Sequence, residues 1–332
     1  NNCVLEALEN HCDISCHAKK RLVNKCGGVI GFAYFPANLT WVGLKNFGTI
    51  YTETPVGEVG INTSGILCQG SKVSVSNNGV LRACENHGKI VVRSNTNNQP
   101  QGSAAVNGIA YFTASGKINL QQCINYADIV VSGGVWSAAG IMNTSQNNSN
   151  PSQTASINYG NIYLRDGDGN QQGFCGIVGG VAANGGNVVA CTNAGNIYVE
   201  GKTAGRYEIS GIQEHGSYYL GLEAHAQKCV NLGNLIYVGT STSGKEEVSI
   251  GGITAPRVSV YDTHFGNTAC CNFGKLSITT TNPSSSSRLG IGCVGATYVS
   301  GDNYVHRSFY NNCVNFGELE IITPDNFCGL AD

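Results

Sequence analysis

Cys191-Thr192-Asn193-Ala194-Gly195-Asn196-Ile197-Tyr198-Val199 is the stretch that decides the fold. Asn and Gly are the residues that most readily turn a chain through positive φ, so Asn-x-Gly predicts a tight corner. The β-branched and aromatic run behind it predicts a short strand. The same pattern, Cys-x-Asn-x-Gly-x-(Ile/Leu), returns at Cys84/Asn86/Gly88/Ile90, Cys229/Asn231/Gly233/Leu235, Cys270/Asn272/Gly274/Leu276 and Cys313/Asn315/Gly317/Leu319. Weaker copies stand at Leu44/Asn46/Gly48/Ile50, Cys123/Asn125/Ala127/Ile129 and Ser156/Asn158/Gly160/Ile162, with a faint first one at Leu8/Asn10/Cys12/Ile14. Successive asparagines are 36, 40, 39, 33, 35, 38, 41 and 43 residues apart, a spacing that announces a repeat architecture.

A second marker, a small residue followed by Gly-Ile or Gly-Val, falls between the copies. It reads at Gly27-Gly28-Val29, Ser64-Gly65-Ile66, Asn107-Gly108-Ile109, Ala139-Gly140-Ile141 and Cys175-Gly176-Ile177. It continues at Ser210-Gly211-Ile212, Gly251-Gly252-Ile253 and Leu289-Gly290-Ile291. A unit of this length with two or three short strands cannot bury its own apolar face, and stacking copies in parallel solves that problem. The expectation is an all-β chain, a parallel β-solenoid of about nine coils, right-handed because parallel β connections favour that hand. A β-propeller is the rival, since its blades have similar length, but blades need four antiparallel strands each. The expected divisions are a Cys-rich cap or first coil over 1–26, repeats over 27–322 and a tail over 323–332. Helical periodicity shows only near Val4–Leu8 and Ala18–Val23.

Composition fits stacked β-structure. Gly is abundant at 45 residues, and charged residues make up 12%, about half the usual share, so turns and surface rest on Gly, Asn, Ser and Thr. A hydrophobic content of 41% is enough for a core and argues against disorder. A net charge of −2 with no basic run beyond Lys19-Lys20-Arg21 gives no footprint for nucleic acid. No apolar run reaches the length of a membrane-spanning helix. Fifteen cysteines favour export, and a chain opening at Asn1-Asn2-Cys3 fits a processed, extracellular form.

With Gly27-Gly28-Val29-Ile30-Gly31 and Cys175-Gly176-Ile177-Val178-Gly179 added to the Cys-x-Asn-x-Gly copies, the chain resembles the Gly-rich repeats of large surface proteins of gut and oral bacteria, including those named for the GLUG motif. The resemblance runs from Leu8 to Leu319. It implies a stalk, adhesin or spacer and no catalytic activity, although fold-level likeness cannot by itself assign function. The terminal sequences Asn1-Asn2-Cys3-Val4 and Asn311-Asn312-Cys313-Val314 suggest ends that stack head to tail into a filament, the partner being another copy. The alternative is a monomeric adhesin that binds a glycan or host protein. A polysaccharide-degrading β-helix ranks third.

Candidate sites follow from the pattern. The column Cys84, Cys123, Cys191, Cys229, Cys270 and Cys313, with the asparagines Asn86, Asn125, Asn158, Asn193, Asn231, Asn272 and Asn315, is expected to line the core. Stacked thiols could hold soft metals or form bridges. Their Cβ spacing of about 4.8 Å exceeds the usual disulfide value, and Ser156 and Leu44 share the position, so small buried hydrophobes are the expectation. Cys3, Cys12, Cys16 and Cys26 lie largely off this column and are expected to staple the N-terminal cap with disulfides, zinc held with His17 being the lesser alternative. Asp166-Gly-Asp168-Gly-Asn170 opens like a calcium loop but has Gln171 and Ile177 where Gly and Glu are needed, so a polar turn is expected. Glu200, Glu208, Glu214 and Glu223, with His215 and His225, provide acids and bases without a marked nucleophile. Ligand contacts, if present, are expected among Tyr218, Tyr219, Tyr298 and Tyr304, with Tyr261 and Tyr310 nearby. Residues 143–156 read as a polar loop, and no cofactor is required.

Overall fold

The computed structural model describes residues 2–17, 25–34, 38–54, 62–71, 78–94, 105–112, 117–133, 137–144, 152–165, 174–183, 186–201, 205–214, 216–217, 223–240, 247–255, 257–258, 263–281, 288–295, 298–299, 306–323 and 330–331. All regular structure among them is strand, and every pairing is parallel. This is a β-solenoid, and the parallel pairing removes the propeller. Val4 and its neighbours, where a helix was conceivable, lie in the strand Asn2–Glu6.

One coil shows the plan. Asn78–Arg82 enters sheet I, Glu85–Asn86 sheet II, Ile90–Ser94 sheet III, Ala105–Asn107 sheet IV and Ala110–Phe112 sheet V. Sheets I to IV each contain nine strands, one per rung, and sheet V contains six. A small sixth sheet joins Gly216–Ser217, Arg257–Val258 and Tyr298–Val299. At about 4.8 Å per rung, nine rungs make a rod roughly 43 Å tall. Residues 2–17 and 25–27 take the first place in sheets I to IV, so the N-terminal segment is a full rung. The C-terminal segment also joins the stack, because Leu330–Ala331 pairs with Arg288–Gly292.

The corner residue differs from the one the sequence suggested. Positive φ falls on the residue ahead of the Cys column: Ala7, Gly43, Ala83, Gln122, Ala155, Ala190, Lys228, Ala269 and Asn312, one per rung. The Asn-x-Gly glycines are needed for space instead. A Cβ on Gly195 would stand 2.0 Å from Gly160 O, and one on Gly233 would stand 1.9 Å from Gly195 O. Gly28, Gly65, Gly108, Gly140, Gly180, Gly211 and Gly252 meet the opposite neighbour: a Cβ on Gly211 would lie 2.1 Å from Gly252 O and 2.4 Å from Asn231 Cγ. The second marker therefore sits at Gly179-Gly180-Val181 and Gly292-Cys293-Val294. The copies read at Gly176 and Gly290 belong to strand interiors of sheet IV, as the pairings Ala139↔Gly179 and Gly251↔Gly292 fix.

Contact between this second glycine column and the asparagines pinches each coil into two apolar lobes. One lobe stacks Ile50, Ile90, Ile129, Ile162, Ile197, Leu235 and Leu276 between sheets III and IV. The other holds Trp41, Leu67, Phe112 and Met142 together with the Cys column. Strands of sheet III alternate buried and half-buried residues, as in Ile197–Gly201, so one face fills the lobe and the other faces outward.

Candidate functional sites

The asparagine column is a continuous amide ladder. Each Nδ2 donates twice, once to the carbonyl two residues on and once to the Oδ1 of the next rung. For Asn193 these are Gly195 O at 2.9 Å and Asn231 Oδ1 at 2.8 Å. The chain of amides runs from Asn10→Asn46 (2.8 Å) through Asn86, Asn125, Asn158, Asn193 and Asn231 to Asn272→Asn315 (2.7 Å), always in one direction. Full burial of the inner members is tolerable because donor and acceptor are both used.

Cys84, Cys123, Cys191, Cys229 and Cys270 are fully buried one turn earlier, and Cys313 is half-buried in the last rung. Ser156 fills the same position and is equally buried. Thiols of adjacent rungs touch: Cys84 with Cys123, and Cys270 with both Cys229 and Cys313. Burial pushes the Cys191 thiol up to about 11. Cys270 moves the other way, to about 7, because the Cys229 thiol donates to it.

No disulfide joins the described side chains of the cap expected at the N-terminus. Cys12, Cys16 and Cys26 are free thiols, and only the backbone of Cys3 is described. Cys16 and Cys26 hydrogen-bond across the lobe, with Cys68 close by, and Cys12 faces solvent. Burial, reinforced by Cys16, drives Cys26 up to about 12. The first rung joins the sheets and core as every later one does, and Cys26, with Cys16 against it, packs into the lobe.

The first and last rungs present what the inner ones cover. Leu8, in the position of buried Leu44, is 43% exposed, and Leu319, paired with buried Leu276, is 40% exposed. Val4, Phe309, Val314, Phe316 and Ile322 are also exposed. Hydrogen bonding at the two faces is complementary. In sheet II each rung donates to the carbonyls of the rung before it, as in Val314 N→Cys270 O and Phe316 N→Asn272 O, which leaves Cys313 O and Asn315 O in the acceptor role at the top. Lys45 N→Leu8 O and Phe47 N→Asn10 O set the same register at the bottom, where Glu9 N and His11 N hold the donor role.

The x position of Asn-x-Gly, which the sequence reading passed over, forms an exposed column. His11 stacks on Phe47 (4.7 Å), Phe47 on His87 (4.8 Å), His87 on Tyr126 (4.6 Å) and Tyr126 on Tyr159 (5.5 Å), all within 16° of parallel. Phe273 and Phe316 repeat the contact at 4.9 Å. The signal was in the motif itself, since the variable residue of a parallel repeat must form a column of its own. These rings spend their faces on one another and offer edges to solvent.

The acids are scattered by the fold or sealed in it. Glu200 pairs with Arg165 at 2.8 Å on the outside. Glu208 and Glu214 are buried, and Arg206 Nε stands 2.8 Å from Glu208. Registers Ser137↔Ile177↔Glu208 and Asn143↔Ala183↔Glu214 bring the two carboxyls to the place where Asn143 donates to Ser137 two rungs earlier. His225 lies against Phe309 at 5.5 Å. Of the other candidates, only the backbones of Glu223 and Tyr298 are described, and His215, Tyr218, Tyr219, Tyr261, Tyr304 and residues 166–173 lie outside the described residues. Within 143–156, expected as a loop, Ser152–Thr154 is a strand of sheet I and Ser156 belongs to the Cys column. No helix among the described residues is long and apolar enough to cross a membrane. No family model, no curated protein and no solved structure matches this chain.

Proposed function

We propose that this chain is a non-enzymatic extracellular structural protein whose rod extends by stacking head to tail on further copies. The observation that carries the proposal is the pair of end faces. Both expose column positions that are buried in inner rungs, and their hydrogen-bonding roles match: Cys313 O and Asn315 O would accept from Glu9 N and His11 N of the next copy. Asn315 Nδ2 would likewise donate to Asn10 Oδ1, continuing the ladder, and Phe316 would meet the next His11 ring. A C-terminal face that fits an N-terminal face, but not itself, builds an open polymer.

A non-catalytic role is supported by the acids. Glu208 and Glu214 are buried and so are sealed from any polymeric substrate. The adhesin alternative would need ring faces for sugar stacking, and the described surface column offers edges.

Sedimentation and negative-stain electron microscopy over a concentration series test the proposal. Long polymers with an axial repeat near the rod height are expected. Leu319→Lys, which places a charge in the interface, should leave short rods with unchanged β-sheet circular dichroism. Short rods at every concentration for the unaltered chain would overturn the proposal and make a glycan-binding screen the next step.

A further inference from the structure

We propose that the top of the cysteine column is a binding site for a soft, two-coordinate metal ion such as Cu(I) or Ag(I), held in line between the sulfurs of Cys270 and Cys313. The parallel register decides the geometry. Cys271 N→Cys229 O and Val314 N→Cys270 O, both 2.9 Å, hold three column cysteines directly over one another. Their strands are spaced about 4.8 Å apart. A metal–thiolate bond is about 2.3 Å, so a linear S–metal–S unit spans about 4.6 Å, nearly one rung.

A column gives each ion two sulfurs, one above and one below, and cannot surround it. Among the described residues no group of three or more His, Cys, Asp or Glu is gathered as a metal site. The arrangement therefore discriminates against zinc, which wants four ligands, and favours ions that thiolates satisfy in pairs. Ala226, Val188 and Ile253 belong to the same apolar lobe as Cys270, and the oxygens nearest its sulfur are the main-chain carbonyls of Ala226 at 3.3 Å and Thr268 at 3.4 Å, both already engaged in the sheets.

Position selects the top pair. Cys84 and Cys123 are closed off on all sides, whereas Cys313 is only half-buried in the single, unstacked chain and there gives an ion a way in. On binding, two S–Ag bonds form, two S–H bonds break and both protons pass to the buffer; no electron is transferred. The resulting unit carries one negative charge, which the half-exposed end tolerates better than the sealed pair below.

The test is native mass spectrometry of the whole chain with one equivalent of silver nitrate in chloride-free buffer, followed by iodoacetamide mapping. One retained silver ion with two protons lost is expected, together with protection of Cys270 and Cys313 from alkylation. Cys270→Ser should weaken retention about 100-fold or more, since loss of an outer-shell partner alone costs up to that much. Cys84→Ser should leave it unchanged. Serine is accommodated in this column at Ser156, and circular dichroism confirms that each variant folds. No retained silver, or retention and protection unaffected in Cys270→Ser combined with Cys313→Ser, would overturn the proposal. So would zinc protecting the same two residues equally well.

Discussion

At the scale of single residues, two kinds of glycine are separated by what surrounds them. Gly43 has φ +66° and open space where a Cβ would go, and the eight other rungs use a non-glycine residue there, alanine in five of them. Gly43→Ala should cost about 1 kcal/mol, the ordinary strain of a left-handed residue. Gly211 has ordinary φ, but its Cβ would strike Gly252 O and Asn231 Cγ, so Gly211→Ala should cost about 3 kcal/mol or more. Thermal unfolding of the two variants checks this ranking. The exceptions are few: Cys12 and Ala127 hold the first-marker position in the bottom rung and in one inner rung, and Cys293 holds the second-marker position in the last rung described for that corner. Asn193→Ala should lose about 3 kcal/mol, since Gly195 O, Asn231 Oδ1 and the Nδ2 of Asn158 all lose a partner. Asn193→Asp should do no better, because a carboxylate cannot donate to either acceptor. The positions of these residues were legible in the sequence, but their reasons were not. Asn-x-Gly suggested a positive-φ corner, whereas the left-handed residue comes three positions before the Asn and is usually alanine, a residue that carries no such signal.

At the scale of elements, the columns matter more than individual strands. Sheet III was readable because each of its strands follows an Asn-x-Gly at a fixed distance. Register in sheet IV was less readable, since the spacer before Asn193 contains Gly176-Ile177 and Gly180-Val181, and only packing against Asn193 picks the second. The thiol column has an alkaline consequence. Cys191 and Cys26 keep their protons in the folded state up to about 11 and 12, while an exposed thiol loses its own near 8.5. A folded-state value raised in this way stabilises fully below the unfolded value and is lost as pH climbs toward the folded one. The contribution of these two thiols is level below about pH 8.5 and falls between about pH 8.5 and 11, so urea midpoints should drop across that window. Cys191→Ser should flatten that fall by about 2–3 kcal/mol, from a shift of about two units. An equal fall in both proteins would show that Cys191 ionises freely.

For the whole molecule, stability should be graded along the axis, because rungs contact only their neighbours. Amide exchange is expected to be slowest around Ile162–Arg165 and fastest at Ile14–His17 and Leu319–Ile322, whose apolar residues are partly uncovered. In a polymer the two end strands should slow toward the central value; rapid exchange there in sedimented material would mean that something other than these faces joins the copies. The unidirectional amide ladder makes the two faces different, so any extension has one polarity. The number and stacking of rungs could be anticipated from nine asparagines, and the aromatic column from the variable position of the motif, yet the burial of Glu208 and Glu214 could not, since it depends on the register of the spacers.

The uneven spacing of the asparagines, 33 to 43 residues against a constant rise, separates the height of the rod from the length of the polypeptide. Insertions and deletions inside a spacer change only its girth. Height changes in whole steps, by duplication or loss of one complete repeat, and the breakpoint can fall anywhere within the repeat provided both ends share a phase. Unequal recombination between neighbouring repeats meets that condition automatically, so a gene of this kind can tune the reach of its product without ever passing through a misfolded intermediate.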